Sequence, residues 1–103
     1  MRKANIYLHN NLAGVLEEVE RNRKYRFRYC EGYTGPPISH TMPLSNKPYD
    51  FDQFPPFFDG LLPEGEMLDG LLRQAKLDSN DCFGQLVAVG GDLVGAVTVE
   101  EAQ

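Results

Sequence analysis

Val19-Glu20-Arg21-Asn22-Arg23-Lys24-Tyr25-Arg26-Phe27-Arg28-Tyr29 is the stretch that decides the fold. From Tyr25 to Tyr29 rings and cations strictly alternate, the period-two pattern of a strand with one buried face. Asn22-Arg23-Lys24 breaks the chain before it, so this strand folds back on a preceding one, read as Leu12 to Glu20, in a hairpin. With a three-residue loop, Val19 lies opposite Phe27, Glu20 opposite Arg26 and Glu18 opposite Arg28. One side is then apolar and the other holds opposite-charge pairs, so the charges need no ligand to explain them.

Toward the N-terminus, Ala4-Asn5-Ile6-Tyr7-Leu8 alternates as another strand, followed by His9-Asn10-Asn11, residues that tolerate left-handed backbone in a turn. Toward the C-terminus, Gly32-Tyr33-Thr34-Gly35-Pro36-Pro37 is a turn cluster, and Ile38-Ser39-His40-Thr41-Met42 alternates as a fourth short strand ended by Pro43. All seven prolines fall between Pro36 and Pro63. Residues Ser45 to Pro56 read as a surface loop. Even so, Tyr49, Phe51, Phe54, Phe57 and Phe58 are too dense a set of rings for a solvated linker, and part of that region must pack on something.

From Phe57 the spacing becomes helical, with Phe57, Phe58, Leu61 and Leu62 on one short apolar face. Pro63 then begins a second helix, where its missing N–H costs little. Met67, Leu68, Leu71, Leu72 and Ala75 form the apolar stripe of that helix. Glu64, Glu66 and Asp69 lie near its N-terminus, and Arg73 and Lys76 at the other end, each suited to the helix dipole. Asp78-Ser79-Asn80-Asp81 offers caps for a third short helix through Phe83, Leu86 and Val87 to a Gly90-Gly91 stop. Leu93 to Val99 closes the chain as a strand pairing with the first ones, and Glu100-Glu101-Ala102-Gln103 reads as a frayed polar end. The expected fold is α+β: a small antiparallel sheet of about five strands, curled toward a barrel and covered by two to three short helices. Residues 1–103 form a single domain with neighbouring termini.

Composition narrows the function. With 42% apolar and 24% charged residues the chain collapses into a core. It has no apolar run of the roughly 18 residues a membrane span needs. The opening Met1-Arg2-Lys3-Ala4-Asn5 lacks a signal-peptide core, so no membrane contact and a cytoplasmic location are expected. Cys30 and Cys82 stand far apart without neighbouring ligands, so neither a disulfide framework nor a zinc site is signalled. Glycine-rich phosphate loops are missing from the sequence, and an enzyme of the kinase or dinucleotide-dependent classes needs a larger scaffold. No catalytic residue, metal or cofactor is assigned. The net charge of −5 divides into +4 over residues 1–49 and −9 over residues 50–103. Such a dipolar chain suits orientation against a protein better than tracking a phosphate backbone, so no direct nucleic-acid contact is expected.

Three segments carry a family resemblance: Pro37-Ile38-Ser39-His40-Thr41-Met42-Pro43-Leu44, then Phe57-Phe58-Asp59-Gly60-Leu61-Leu62-Pro63-Glu64-Gly65, then Asp81-Cys82-Phe83 leading into Gly90-Gly91-Asp92-Leu93-Val94-Gly95-Ala96-Val97. In this order and spacing the chain resembles the N-terminal part of HipA-type serine/threonine kinases, the toxins of bacterial toxin–antitoxin systems. His40 stands where the family pattern often has an aliphatic residue. HipA-type chains continue into a much longer kinase region, whereas this one stops four residues after Val99. It is therefore similar to HipS, the free-standing small protein of three-gene systems. There HipT is a short kinase toxin lacking this N-terminal piece, and HipB is the DNA-binding third member. The resemblance implies an antitoxin-like protein that binds a HipT-like kinase and suppresses it, within a ternary complex that includes a HipB-like protein.

The contact with that kinase is expected to centre on Phe57, Phe58, Leu62, Pro63, Glu64, Gly65, Glu66 and Met67. An aromatic and methionine cluster beside acidic residues matches an interface core with its polar rim. The plainer reading is that Phe57, Phe58, Leu61 and Leu62 cover the sheet as core, and that Glu64, Glu66 and Asp69 serve the helix dipole and not Mg²⁺. His9 and His40 have no nucleophile beside them. The rival function is a single-stranded nucleic-acid-binding β-module using the rings and cations of Lys24 to Tyr29. Against it, strict alternation sends rings and cations to opposite faces. A further alternative is an inert structural fragment of a HipA-type kinase.

Overall fold

A computed structural model describes residues 2–93 and 95–102. Strands β1 (Arg2–Leu8), β2 (Asn11–Glu20) and β3 (Lys24–Tyr29) make a meander, flanked by β4 (Tyr49–Phe51) beside β3 and β5 (Val97–Ala102) beside β1. Every pairing is antiparallel, in the order β4-β3-β2-β1-β5. Helices α1 (Pro56–Asp59), α2 (Gly65–Ala75) and α3 (Cys82–Val89) lie between β4 and β5 in sequence. The α+β class with five strands and three helices is as expected. The sheet is open, with β4 and β5 as its edges, and does not close into a barrel.

His9 and Asn10, at φ 49° and 67°, make the two-residue β1–β2 turn, whose mirror-image geometry matches the right-handed twist of a hairpin. The β2–β3 register corrects the sequence reading. Leu16 pairs with Phe27, Glu17 with Arg26 and Glu18 with Tyr25, and a bulge lies between Glu18 and Glu20. Val19, expected opposite Phe27, is exposed instead. The shift turns the faces of β2 over, so Leu16 and Glu18 face inward while Val15 and Glu17 face outward. Glu18 is taken into the interior because Arg2 meets it there.

Ile38 to Met42 is not a strand. Ser39 and Met42 bridge across a tight turn. The Tyr29 hydroxyl holds this turn on the sheet by donating to the Met42 carbonyl oxygen and accepting from the Ile38 N–H at 3.0 Å. Ile38 and Met42 are buried because they act as pegs into the core. The fourth strand is β4, inside the stretch read as a surface loop. Its Tyr49 and Phe51 pack against the core, and Arg26 Nε donates to Asp50 Oδ1 across the β3–β4 pair at 2.7 Å. Pro63 does not open a helix either. Pro56 does so for α1, whereas Pro63 precedes the extended residue Glu64 that caps α2.

On the inner face Ile6, Leu16 and Phe27 are fully buried beneath Phe58 of α1 and Phe83 and Leu86 of α3. The Phe27 ring lies 5.9 Å from Phe58 and meets Tyr29 edge-on at 4.9 Å. Each such side chain contributes about 1.5–3 kcal/mol by leaving water. β5 begins at Val97, later than the expected Leu93, and Val94 lies outside the described residues. Glu100, Glu101 and Ala102 are not frayed: they pair with Asn5, Ala4 and Lys3, which brings the two ends together as expected. Gln103 lies outside the described residues.

Two devices seat α3. At its C-terminal end Gly90 accepts the Val99 N–H at 2.9 Å, and a Cβ there would stand 2.0 Å from the Val99 carbonyl oxygen, so only glycine permits the approach. At its N-terminal end the Arg2 guanidinium bridges two carboxylates. It donates to Glu18 at 2.7 and 2.8 Å and to Asp81 at 2.8 and 3.3 Å, and it stands over the Phe83 ring at 5.0 Å. Asp81 also caps α3 by accepting from the Gly84 N–H at 3.0 Å. Burial alone would push the Glu18 carboxyl up, but Arg2 and the Asn22 N–H together hold it below the usual glutamate value. Arg2 lowers Asp81 as well, against burial and with help from the Gly84 N–H.

Candidate protein-binding site

α2 is the least integrated helix. None of its residues is buried, and its N-cap Glu64 makes no side-chain hydrogen bond. A helix of 11 residues relies on tertiary packing for most of its stability, yet Leu68, Leu71 and Leu72 are only half-buried here. Met67, in its first turns, is 76% exposed. The other large apolar side chains exposed among the described residues, Leu12, Val19 and Leu44, are far less so. The α2–α3 connection is by contrast fastened, since the buried Gln85 donates from Nε2 to the carbonyls of Asp78 and Ser79 at 3.2 and 3.1 Å.

Beside Met67 lies a groove of about 400 Å³. One wall is the α1–α2 connection, Gly60 to Pro63, and the other is Val89, Asp92 and Leu93 beyond α3. The structure therefore brings Leu62, Pro63 and Met67 together at one site, with Glu64, Gly65 and Glu66 exposed between them in the chain. Phe58 does not join them. It is 0% exposed, in the core against Phe27 and edge-on to Phe57 at 5.1 Å, because α1 is the element that covers this end of the sheet. Half-buried Phe57 faces a separate apolar pocket of about 210 Å³, with Tyr49, Phe51 and Met42. Val89, Asp92 and Leu93 were not singled out from the sequence as site residues. The signals there were the Gly90-Gly91 stop, which ends α3 close to α2, and the place of Asp92 and Leu93 in the third family segment.

The geometry offers little to reaction chemistry. His9 sits in the β1–β2 turn and His40 in the Ser39–Met42 turn, both exposed. Cys82 is half-buried, and burial, with Asp59 and Asp81 adding to it, pushes its thiol up and away from the reactive thiolate. Among the described residues no three His, Cys, Asp or Glu side chains gather where they could hold an ion. None of the described helices is long and apolar enough to cross a membrane. Tyr25, Phe27 and Tyr29 are all buried, with burial pushing Tyr25 up to about 12, while Arg26 and Arg28 lie on the opposite face of β3. The rings are thus removed from any platform on which bases could stack.

Comparison with known proteins agrees with this geometry. The family described as HipA N-terminal domain matches residues 4–100. An uncharacterized protein of Haemophilus influenzae is 30% identical over 101 residues, covering 98% of this chain and 93% of its own length. The solved N-terminal domain of HipA toxin superposes with a TM-score of 0.77 at 26% identity, over 100% of this chain and 94% of that one.

Proposed function

The chain belongs to the HipA N-terminal domain family, and from that premise we propose that it is a non-enzymatic, antitoxin-like subunit that binds a HipT-type serine/threonine kinase and restrains it. The observation that carries the reading is the position of Met67, widely exposed on a helix with no buried residue and beside an apolar groove with acidic neighbours. Met67 does not stand alone: with Leu62, Pro63, Val89 and Leu93 it makes a contiguous apolar surface, and such patches rimmed by polar residues mark protein–protein contacts. In the Haemophilus influenzae relative the match spans 93% of the length, so in that protein this domain makes up nearly the whole chain.

Restraint requires only binding. A small subunit seated where a fused N-terminal domain would lie gains affinity from apolar burial. It suppresses phosphoryl transfer by blocking substrate access or by holding a lobe or loop away from its active arrangement. Leu62, Pro63 and Met67 form the apolar centre of the contact, Glu64 and Glu66 its rim, and Gly65 the turn into α2; Phe57 contributes at its border. Phe58 supports the surface from within the core. A HipB-like DNA-binding protein completes a ternary complex in the cytoplasm.

Co-expression with the cognate kinase tests this. Growth is rescued by the wild-type chain and lost again with Met67→Ala combined with Glu66→Lys, while the purified proteins co-elute only when the segment is intact. A chain that neither binds the kinase nor relieves its toxicity is the inert fragment, and the proposal fails.

A further inference from the structure

The groove beside Pro63 does not end at Met67. It continues as an open seam of about 620 Å³ between α2 and α3, with Met67, Gly70 and Leu71 on one wall and Ala88 and Val89 on the other. Two helices packed through leucine and valine approach to about 8–10 Å and interlock. Here the small residues Gly70 and Ala88 leave the space between the walls unfilled, and a Cβ built on Gly70 meets nothing within 4 Å. Asp92 lines this opening, and Glu66 and Asp69 adjoin Met67 and Gly70 along α2; all three are exposed and form no ion pair among the described residues. Arg73, the one cation lining the seam, lies in the last turn of α2, where the helix dipole favours it.

We propose that the α2–α3 seam is the second half of the kinase-binding surface. In it α2 and α3 clasp an apolar side chain of the kinase that is flanked by lysine or arginine. The inference rests on the kinase-binding reading above. Charge complementarity selects the occupant: Asp92 on the seam, with Glu66 and Asp69 next to Met67 and Gly70 along α2, outnumbers Arg73, so the opening attracts a cationic segment and repels an acidic one. The seam also explains how α2 is kept marginal in the free chain and becomes packed on both sides in the complex, since the inserted side chain supplies the contacts that α3 does not.

The test uses the full-length chain and the purified cognate kinase. Gly70→Met places a side chain of this protein in the slot and lowers kinase affinity at least tenfold, while the melting temperature stays within a few degrees of wild type because the substituted side chain enters open space. Asp92→Lys, at an exposed position, lowers affinity at least fivefold and flattens the dependence of Kd on salt. If the wild-type chain binds and both variants bind equally well with the same salt dependence, the seam is not occupied and this inference falls while kinase binding stands. If the wild-type chain does not bind the kinase, both readings fall.

Discussion

Replacing Arg2 by methionine probes the device that positions α3 and, through it, the proposed binding surface. Methionine keeps the aliphatic reach over Phe83 but leaves Glu18 and Asp81, whose side chains are 3% and 11% exposed, with no cation between them. Removing one partner of a fully buried pair costs about 3–5 kcal/mol. Arg2 itself is 31% exposed, so water screens part of the effect and a loss of about 2–3 kcal/mol is expected. In a domain of this size that lowers Tm by roughly 10–20 °C. The pH dependence is the sharper signature. In the wild type both carboxyls titrate below their ordinary values of 3.8 and 4.5, so their contribution is complete above those values and is lost as pH falls through the lowered ones. In Arg2→Met burial, opposed now chiefly by the Asn22 and Gly84 N–H groups, raises the folded-state values. The folded form then takes up protons before the unfolded form does, and acidification from pH 7 toward 5 raises Tm. Thermal unfolding followed by circular dichroism at pH 7, 6 and 5 reads both effects. A variant that melts within 3 °C of wild type, with the same slope against pH, refutes the assigned role of the clamp.

The remaining predictions separate core from surface. Phe58→Ala removes a fully buried ring and is expected to cost about 3–5 kcal/mol in urea unfolding. Met67→Ala leaves stability within about 0.5 kcal/mol, so any loss of kinase binding in that variant belongs to the interface. Gly90→Ala forces a methyl group against the Val99 carbonyl and destabilises by about 2–3 kcal/mol, with hydrogen exchange accelerating first in β5. Gly70→Ala, whose Cβ enters open space on α2, stabilises by about 0.5–1 kcal/mol, measured by thermal unfolding with slower exchange confined to α2.

Local alternation and capping made most elements legible: Tyr25 to Tyr29 as β3, Ala4 to Leu8 within β1, a cap for α3 somewhere in Asp78 to Asp81, and the Gly90-Gly91 stop. These signals depend on neighbours within a few residues, so a linear reading recovers them. The three family segments, and with them the membership now shown, were equally a property of sequence. Tertiary structure decided whatever depends on partners far along the chain. The faces of β2 could not be assigned from Val15, Leu16, Glu17, Glu18 and Val19, since both alternations carry apolar residues; Arg2, sixteen positions before Glu18, settled which carboxylate turned inward. Ile38 and Met42 alternate like strand residues but serve as pegs held by Tyr29, and β4 was hidden in a proline-rich stretch because three residues give too little periodicity to read. At the proposed binding surface, Leu62, Pro63 and Met67 stood out through local composition. Their convergence with Val89, Asp92 and Leu93, and the burial of Phe58 that separates it from them, follow from how α1, α2 and α3 stack on the sheet, a long-range packing outcome that no local pattern encodes.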